Sequence, residues 1–113
     1  MEEEDRVLQF ICEKVLKDIS GPVDLYLSKR TRHRLTIPTW VGNIVPPDRF
    51  KGKNELWIGF IDMLPGANFE HPVKYVFIDV HSNIYEILDK STPPNDLYEN
   101  YKCYPGLIRG KSG

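Results

Sequence analysis

The hydrophobic residues near the start of the chain repeat with the period of a helix. The apolar positions are Val7, Leu8, Ile11, Cys12, Val15, Leu16 and Ile19. Spacings of three and four residues place such positions on one face of a helix, with the charged residues between them facing water. Gly21 suits a left-handed cap and Pro22 cannot continue the helix, so the pattern predicts an amphipathic helix that ends before Gly21.

Four later segments have the patterns of strands. Residues 23–28 alternate between apolar and polar side chains, as in a strand with one buried face. Residues 56–63 are apolar on both faces, which is typical of a central strand. Residues 73–80 and 84–88 flank a short turn in which Asn83 suits a positive φ, so we predict an antiparallel hairpin.

The remaining segments are less regular. Residues 35–41 contain apolar positions for a short strand, but Pro38 restricts it to a sheet edge or an irregular extension. Residues 46–54 are rich in Pro, Gly and Asn and indicate a loop. After Asp89 the periodicity is lost. We therefore expect one α+β domain over residues 1–92 and an irregular C-terminal extension over 93–113 that packs partly on it.

These elements predict an α+β fold: an N-terminal amphipathic helix packed on an antiparallel sheet of about four strands. The order of a helix followed by a meander resembles that of the cystatin-like folds. Such folds host inhibitors, binding modules, dimeric small-molecule binders and a few enzymes, so the fold alone does not define the function. Since strand 56–63 is apolar on both faces, the second face of the sheet needs a cover from loop 35–50, tail 97–108 or another copy of the chain.

Composition narrows the classes of partner. The chain has 113 residues, 41% hydrophobic and 27% charged, with a net charge of -1, a pI of about 6.3 and a mean hydropathy of -0.40. This is the composition of a globular domain without an overall attraction to nucleic acid or anionic membranes. No apolar run reaches the roughly 20 residues of a membrane span, and the acidic start is unlike a secretory signal. We expect a cytoplasmic protein with Cys12 and Cys103 reduced.

One candidate site combines a histidine with carboxylates: Asp62, Glu70, His71 and Asp79. Asp62 and the Glu70-His71 pair flank the same connection between two strands, so a hairpin brings them close together. A histidine beside carboxylates can act as a general base or bind a metal. It can equally be a structural cap, because Pro72 holds His71 in an extended conformation. The spacing of the three histidines predicts no metal site, and no motif predicts a cofactor.

A second candidate site is a basic segment with nearby aromatic residues. The residues are Lys29, Arg30, Arg32, Arg34, Trp40 and Phe50. Arginines bind phosphate in bidentate fashion, and aromatic rings stack on bases. The same charges can instead form a solvated turn that protects a sheet edge, or contact an acidic protein. The chain has no nucleic-acid-binding motif and is slightly acidic, which disfavours nucleic acid as the partner.

The sequence contains no recognisable catalytic set, so our leading hypothesis is a non-catalytic interaction or small binding module rather than an enzyme. It would act through the sheet face and the edge near residues 29–50, on a protein partner or a second copy of the chain. One alternative is a small enzyme or ligand binder centred on the carboxylate and histidine residues. The other is a nucleic-acid binder that uses segment 29–34.

Overall fold

The computed structural model of the protein describes residues 3–19, 21–30, 36–50, 55–64 and 70–107. The elements are α1 (Glu3–Phe10), β1 (Val23–Arg30), β2 (Ile37–Thr39), β3 (Gly42–Ile44), β4 (Leu56–Asp62), β5 (Val73–Asp79), β6 (Ile84–Lys90), α2 (Leu97–Asn100) and β7 (Lys102–Leu107). The architecture is α+β, with an N-terminal helix packed on a mostly antiparallel sheet, as the sequence predicts. Within the described ranges, no helix is long and apolar enough to cross a membrane.

The N-terminal helix changes its winding along its length. After α1 the chain continues as a π-helical turn over Ile11–Val15, in which Leu16 N–H bonds to the carbonyl oxygen of Ile11. A 3-10 turn over Leu16–Asp18 follows. Gly21 then adopts a φ of 82°, which L side chains rarely adopt and which reverses the chain toward β1. The predicted helix is thus present, although only its first part is a regular α-helix.

The main sheet has five strands in the order β6-β5-β4-β1-β7, and every neighbouring pair is antiparallel. Strands β4, β5 and β6 form the predicted meander. Asn83, in the turn between β5 and β6, has a φ of 55°, in agreement with the hairpin that the sequence predicts. Strands β2 and β3 form a separate two-stranded sheet.

The C-terminal part is more regular than the sequence indicates. We expected about four strands and an irregular extension, but β7 pairs with β1 as the fifth strand. Pro105 and the positive-φ residue Gly106 interrupt any alternation, so the strand has no clear sequence pattern. Its position is fixed by partners distant in sequence: the Gly106 N–H donates to Asp24 Oδ1 at 3.0 Å.

The helix covers one face of the sheet. Its buried side chains pack on residues of the three central strands; this core contains Val7, Ile11, Cys12, Val15, Leu16, Val23, Leu25, Leu27, Trp57, Ile61, Val76 and Ile78. Gly59 lies beneath the helix, where an added methyl group would be 3.5 Å from Ile11 Cδ1. The start of α1 is also fixed by polar contacts, since Tyr104 Oη donates to Glu4 Oε2.

The second face of the sheet is covered by the chain itself. The β2–β3 hairpin, a 3-10 turn at Asp48–Phe50 and α2 pack over it. The core on this side contains Ile37, Ile44, Phe50, Leu56, Ile58, Phe60, Val73, Tyr75, Phe77, Leu97 and Tyr101. Tyr75 is fully buried there, and its hydroxyl donates to the Thr92 carbonyl oxygen at 2.7 Å. The cover therefore comes from parts of segments 35–50 and 97–108, two of the three sources that the sequence suggested.

Candidate functional site

A histidine and an aspartate meet at one end of the main sheet. Asp62 is the last residue of β4, and His71 lies two positions before β5. His71 Nε2 is 2.7 Å from Asp62 Oδ1, which also accepts the Leu64 N–H at 3.0 Å. The side chains are only 12% and 20% exposed. The antiparallel pairing of β4 with β5 sets Asp62 opposite Val73, which brings the two polar residues together as the sequence suggested.

A cavity of about 360 Å³ lies beside this pair. Its volume is within the usual range for a small-molecule site. The lining residues come from most parts of the fold: Tyr26, Trp40, Phe60, Asp62, Glu70, His71, Val73, Ser91, Thr92, Pro93, Leu97 and Tyr98. Three of the four predicted carboxylate and histidine residues thus line one cavity, together with one of the predicted aromatic binding residues.

The polar wall of the cavity is acidic. Glu70 is exposed, and its Oε2 accepts a hydrogen bond from Ser91 Oγ at 2.8 Å. Among the described residues, no hydrogen-bond donor contacts Glu70 Oε1 or Asp62 Oδ2. The cavity lining, as far as the structure describes it, includes no lysine or arginine. Two carboxylates with open acceptor positions therefore face the cavity, and His71 is the only basic side chain among the lining residues that the structure describes.

The other wall is aromatic. The Tyr26 ring lies 5.9 Å from that of Phe60 and 6.4 Å from that of Tyr98, with the latter pair edge to face. Trp40 lies in the turn between β2 and β3 and is 71% exposed, so it forms an accessible rim. Burial, together with a hydrogen bond to Cys103, raises the pKa of Tyr26. A phenol is uncharged near pH 7 even at its ordinary pKa of 10.0, and the raised pKa keeps Tyr26 uncharged in more alkaline solution as well.

Asp79 is not part of this cavity, and its placement in the candidate site is wrong. It lies at the opposite end of β5 from Val73, and a strand rises about 3.3 Å per residue, so the two ends are roughly 20 Å apart. The Asp79 carboxylate accepts hydrogen bonds from the His81 N–H at 3.1 Å and from Ser82 Oγ at 3.0 Å. It stabilises the β5–β6 turn.

The predicted basic and aromatic site is only partly described. Phe50 is 2% exposed and packs 6.2 Å from the Phe77 ring, so it fills the core and is not a surface binding residue. The backbones of Lys29 and Arg30 belong to β1, whereas their side chains lie outside the description. Arg32 and Arg34 also lie outside the described residues. The basic segment remains a prediction.

One further group of side chains has the chemistry of metal ligands. Single ligand atoms of Glu3, Glu55 and His81 all lie within 4.8 Å of one another. His81 is exposed, and Glu3 Oε2 already accepts a hydrogen bond from Trp57 Nε1 at 2.6 Å. Exposed acidic groups are common without a bound ion, so this cluster is a weaker candidate than the cavity.

Several cavity residues carry no functional signal in the sequence. Tyr26 occupies an ordinary alternating position of a strand, and Tyr98 lies in the segment without periodicity. Ser91 belongs to a turn-like stretch. The only recognisable signal is the polar group that flanks the β4–β5 connection, because the other residues come together only through the packing of α2 and the β2–β3 hairpin.

A scan against models of known protein families finds no match to this chain. Searches of curated proteins and of solved structures likewise find no similar chain. What the fold and the site define is an α+β domain with a ligand-sized cavity that has one acidic and one aromatic wall.

Proposed function

We propose that the protein is a binding module for a small ligand, which occupies the cavity between the Asp62–His71 pair and the aromatic residues Trp40 and Tyr98. The observation that carries this proposal is the convergence of a hydrogen-bonded His–Asp pair and open carboxylate oxygens on a cavity of about 360 Å³. Binding sites for small molecules typically combine apolar walls with a few convergent polar groups.

The polar contacts of the cavity favour binding over catalysis. Asp62 Oδ1 is held by the Leu64 N–H as well as by His71, so the acidic wall is oriented before a ligand arrives. The Ser91 hydroxyl donates to Glu70 at 2.8 Å rather than to the histidine. Ser91, the serine of the described cavity lining, is therefore not paired with the imidazole that would activate it as a nucleophile.

Our leading sequence-based hypothesis, an interaction module that binds a partner through a face of the sheet, has less support than ligand binding in the cavity. Its premise is an apolar face left open, whereas the described core residues on that side are buried beneath the β2–β3 hairpin and α2. The cytoplasmic location expected from the sequence stays a prediction that cell fractionation would test. A protein partner likewise remains a prediction, for which the exposed Trp40 and Tyr98 at the cavity rim are the relevant side chains.

An enzymatic function is the second candidate, favoured by the 2.7 Å contact between His71 and Asp62. A carboxylate that orients an imidazole is the arrangement of a general base. If the protein is a hydrolase, an activated ester would be cleaved with a rate that falls by about 100-fold or more in His71→Gln. Equal rates in the wild type and this variant would exclude His71 as a base.

The binding proposal is tested by titrating a library of small fragments into the protein and recording heteronuclear NMR spectra. The chain has two tryptophans, so its indole signals are assigned from a Trp40→Phe variant. A ligand in the cavity shifts the signals of Trp40 and His71 and leaves that of Trp57, which lies on the helix-covered face, in place. If no fragment shifts the cavity signals at millimolar concentration, the proposed function is wrong.

A further inference from the structure

We infer that the ligand of this cavity is a small organic cation that carries a primary or methylated ammonium group. This inference rests on the proposed function, because it names the chemical class of the ligand for the same site. Two features of the cavity lining support the inference: the negative charge of Asp62 and Glu70, and the aromatic rings of Trp40 and Tyr26.

The charge of the cavity favours a cation. Asp62 and Glu70 are the acidic residues of its described lining; His71 Nε2 lies 2.7 Å from Oδ1 of Asp62, whereas Glu70 accepts a hydrogen bond from the neutral Ser91 hydroxyl. Protonated or neutral, His71 therefore leaves the Glu70 charge unbalanced among the described lining residues. The carboxylates of Glu70 and Asp62 attract a positive charge whether or not it carries an N–H, and they repel an anion. Where the cation does carry an N–H, the open oxygens Glu70 Oε1 and Asp62 Oδ2 can also accept hydrogen bonds from it.

The aromatic wall distinguishes an organic cation from a metal ion. Aromatic rings attract cations through the negative charge of their faces, and tryptophan does so most strongly. Trp40, Tyr26 and Tyr98 line the same cavity as the two carboxylates, and the phenol of Tyr26 is uncharged near pH 7. A bare divalent ion would be coordinated by the oxygens alone and would leave this wall without a role, whereas a substituted ammonium contacts both walls.

The test compares choline with its uncharged isostere, in which carbon replaces the quaternary nitrogen. The two molecules have the same shape, so their difference in affinity measures the contribution of the charge. Isothermal titration and the Trp40 indole signal should show choline binding at least about tenfold more tightly. Equal affinities for the two, with both shifting the cavity signals, would overturn the cationic class while the proposed binding site stands. Binding of neither would overturn the cationic class, and the fragment titration described above then decides whether the proposed binding site stands.

Two variants assign the effect to the acidic wall. Glu70→Gln removes one charge from an exposed position, and we expect it to weaken choline binding by at least about threefold without changing the affinity for the isostere. The matched control is Glu13→Gln, because Glu13 is an exposed glutamate on the N-terminal helix, away from the cavity. Equal losses in the two variants would indicate a general effect of net charge and would contradict the inference.

The ammonium group belongs either to a free molecule or to a modified lysine side chain, and we assign it to a free molecule because the cavity is small. A trimethyllysine derivative with both backbone ends blocked tests this assignment beside choline. Similar affinities, or tighter binding of choline, support it. Binding of the blocked derivative more than about tenfold tighter than choline would assign the site to a peptide-borne cation instead.

Discussion

The indole nitrogen of Trp57 donates a 2.6 Å hydrogen bond to Oε2 of Glu3, which joins the first turn of α1 to the central strand β4. The Trp57 side chain is 9% exposed, so its N–H has little access to water. This contact and the bond from Tyr104 to Glu4 hold the start of the helix on the sheet at two places. The acidic residues that begin the helix thus bind specific donors in addition to their favourable interaction with the helix dipole.

Removal of the Glu3 carboxylate should destabilise the fold. We expect Glu3→Ala to lower the free energy of unfolding by about 1–2 kcal/mol, because the nearly buried Trp57 N–H loses a charged acceptor. Glu3→Gln keeps an acceptor oxygen and should lose less than half as much. Urea denaturation followed by circular dichroism measures both, with Glu13→Ala as a control on the same helix. A Glu13→Ala loss as large as that of Glu3→Ala would contradict this role of the contact.

Asp62 and His71 should be energetically coupled. Each single change, Asp62→Asn or His71→Gln, should lower the stability by about 1 kcal/mol because it weakens their 2.7 Å contact. The double variant should be less destabilised than the sum of the singles by at least about 0.5 kcal/mol. The measurement is a double-mutant cycle, in which the free energy of unfolding of the wild type, the two single variants and the double variant is determined by urea denaturation. Strict additivity would mean that the contact contributes no net stability.

Gly59 tests how closely the helix packs on β4. A methyl group there would lie 3.5 Å from both Ile11 Cδ1 and Leu25 Cδ1, which is ordinary van der Waals contact. Gly59→Ala should therefore change the stability by less than about 1 kcal/mol. Gly59→Val adds atoms for which the described neighbours leave little room, and should cost about 1–3 kcal/mol. Thermal unfolding of the Gly59→Ala and Gly59→Val variants tests this expectation. Equal melting temperatures of the two variants would show that the helix moves away from β4 without loss of stability.

The two cysteines should differ in reactivity toward a thiol reagent. Cys103 is exposed, whereas Cys12 is buried on the side of the N-terminal helix that faces the sheet. Burial, with a smaller effect of Glu13, raises the pKa of Cys12 above the ordinary 9.0. Because the thiolate is the reactive form, the native protein should react at one thiol and at the second only after denaturation. The Cys103→Ala variant should show no rapid reaction. A fast phase that persists in this variant would place Cys12 within reach of solvent.

Stability should fall in strongly alkaline solution through Tyr75. Burial is the largest cause that raises the pKa of this phenol in the folded state above its ordinary 10.0. The unfolded chain therefore loses the proton first, and the contribution to stability, complete below pH 10, decreases as the pH rises further. Tyr75→Phe should be less stable at pH 7, since the bond to the Thr92 carbonyl is lost, but its stability should decline less above pH 10. Parallel declines in urea titrations of the two proteins would contradict this assignment.

The elements with local sequence patterns could be predicted from the amino-acid sequence. The apolar stripe from Val7 to Leu16 specifies a helix, and the alternation around Asn83 specifies a hairpin, because neighbouring residues decide both periodicity and turn geometry. The contact between Asp62 and His71 also follows from the sequence, since both flank one connection between paired strands. The sequence-based placement of Asp79 beside His71 is wrong because the extended strand β5 lies between them and holds them far apart, although they are only eight residues apart in the sequence.

The contacts between distant segments become visible only in the folded protein. Strand β7 is held by β1, Phe50 is buried against Phe77, and the cavity joins Tyr26 to Trp40 and Tyr98. No local pattern marks these contacts, because their free energy comes from partners far apart in the sequence. The Asp62–His71 pair of the cavity is thus a local property of the chain, whereas Trp40 and Tyr98 reach the cavity only once the β2–β3 hairpin and α2 have packed over the sheet.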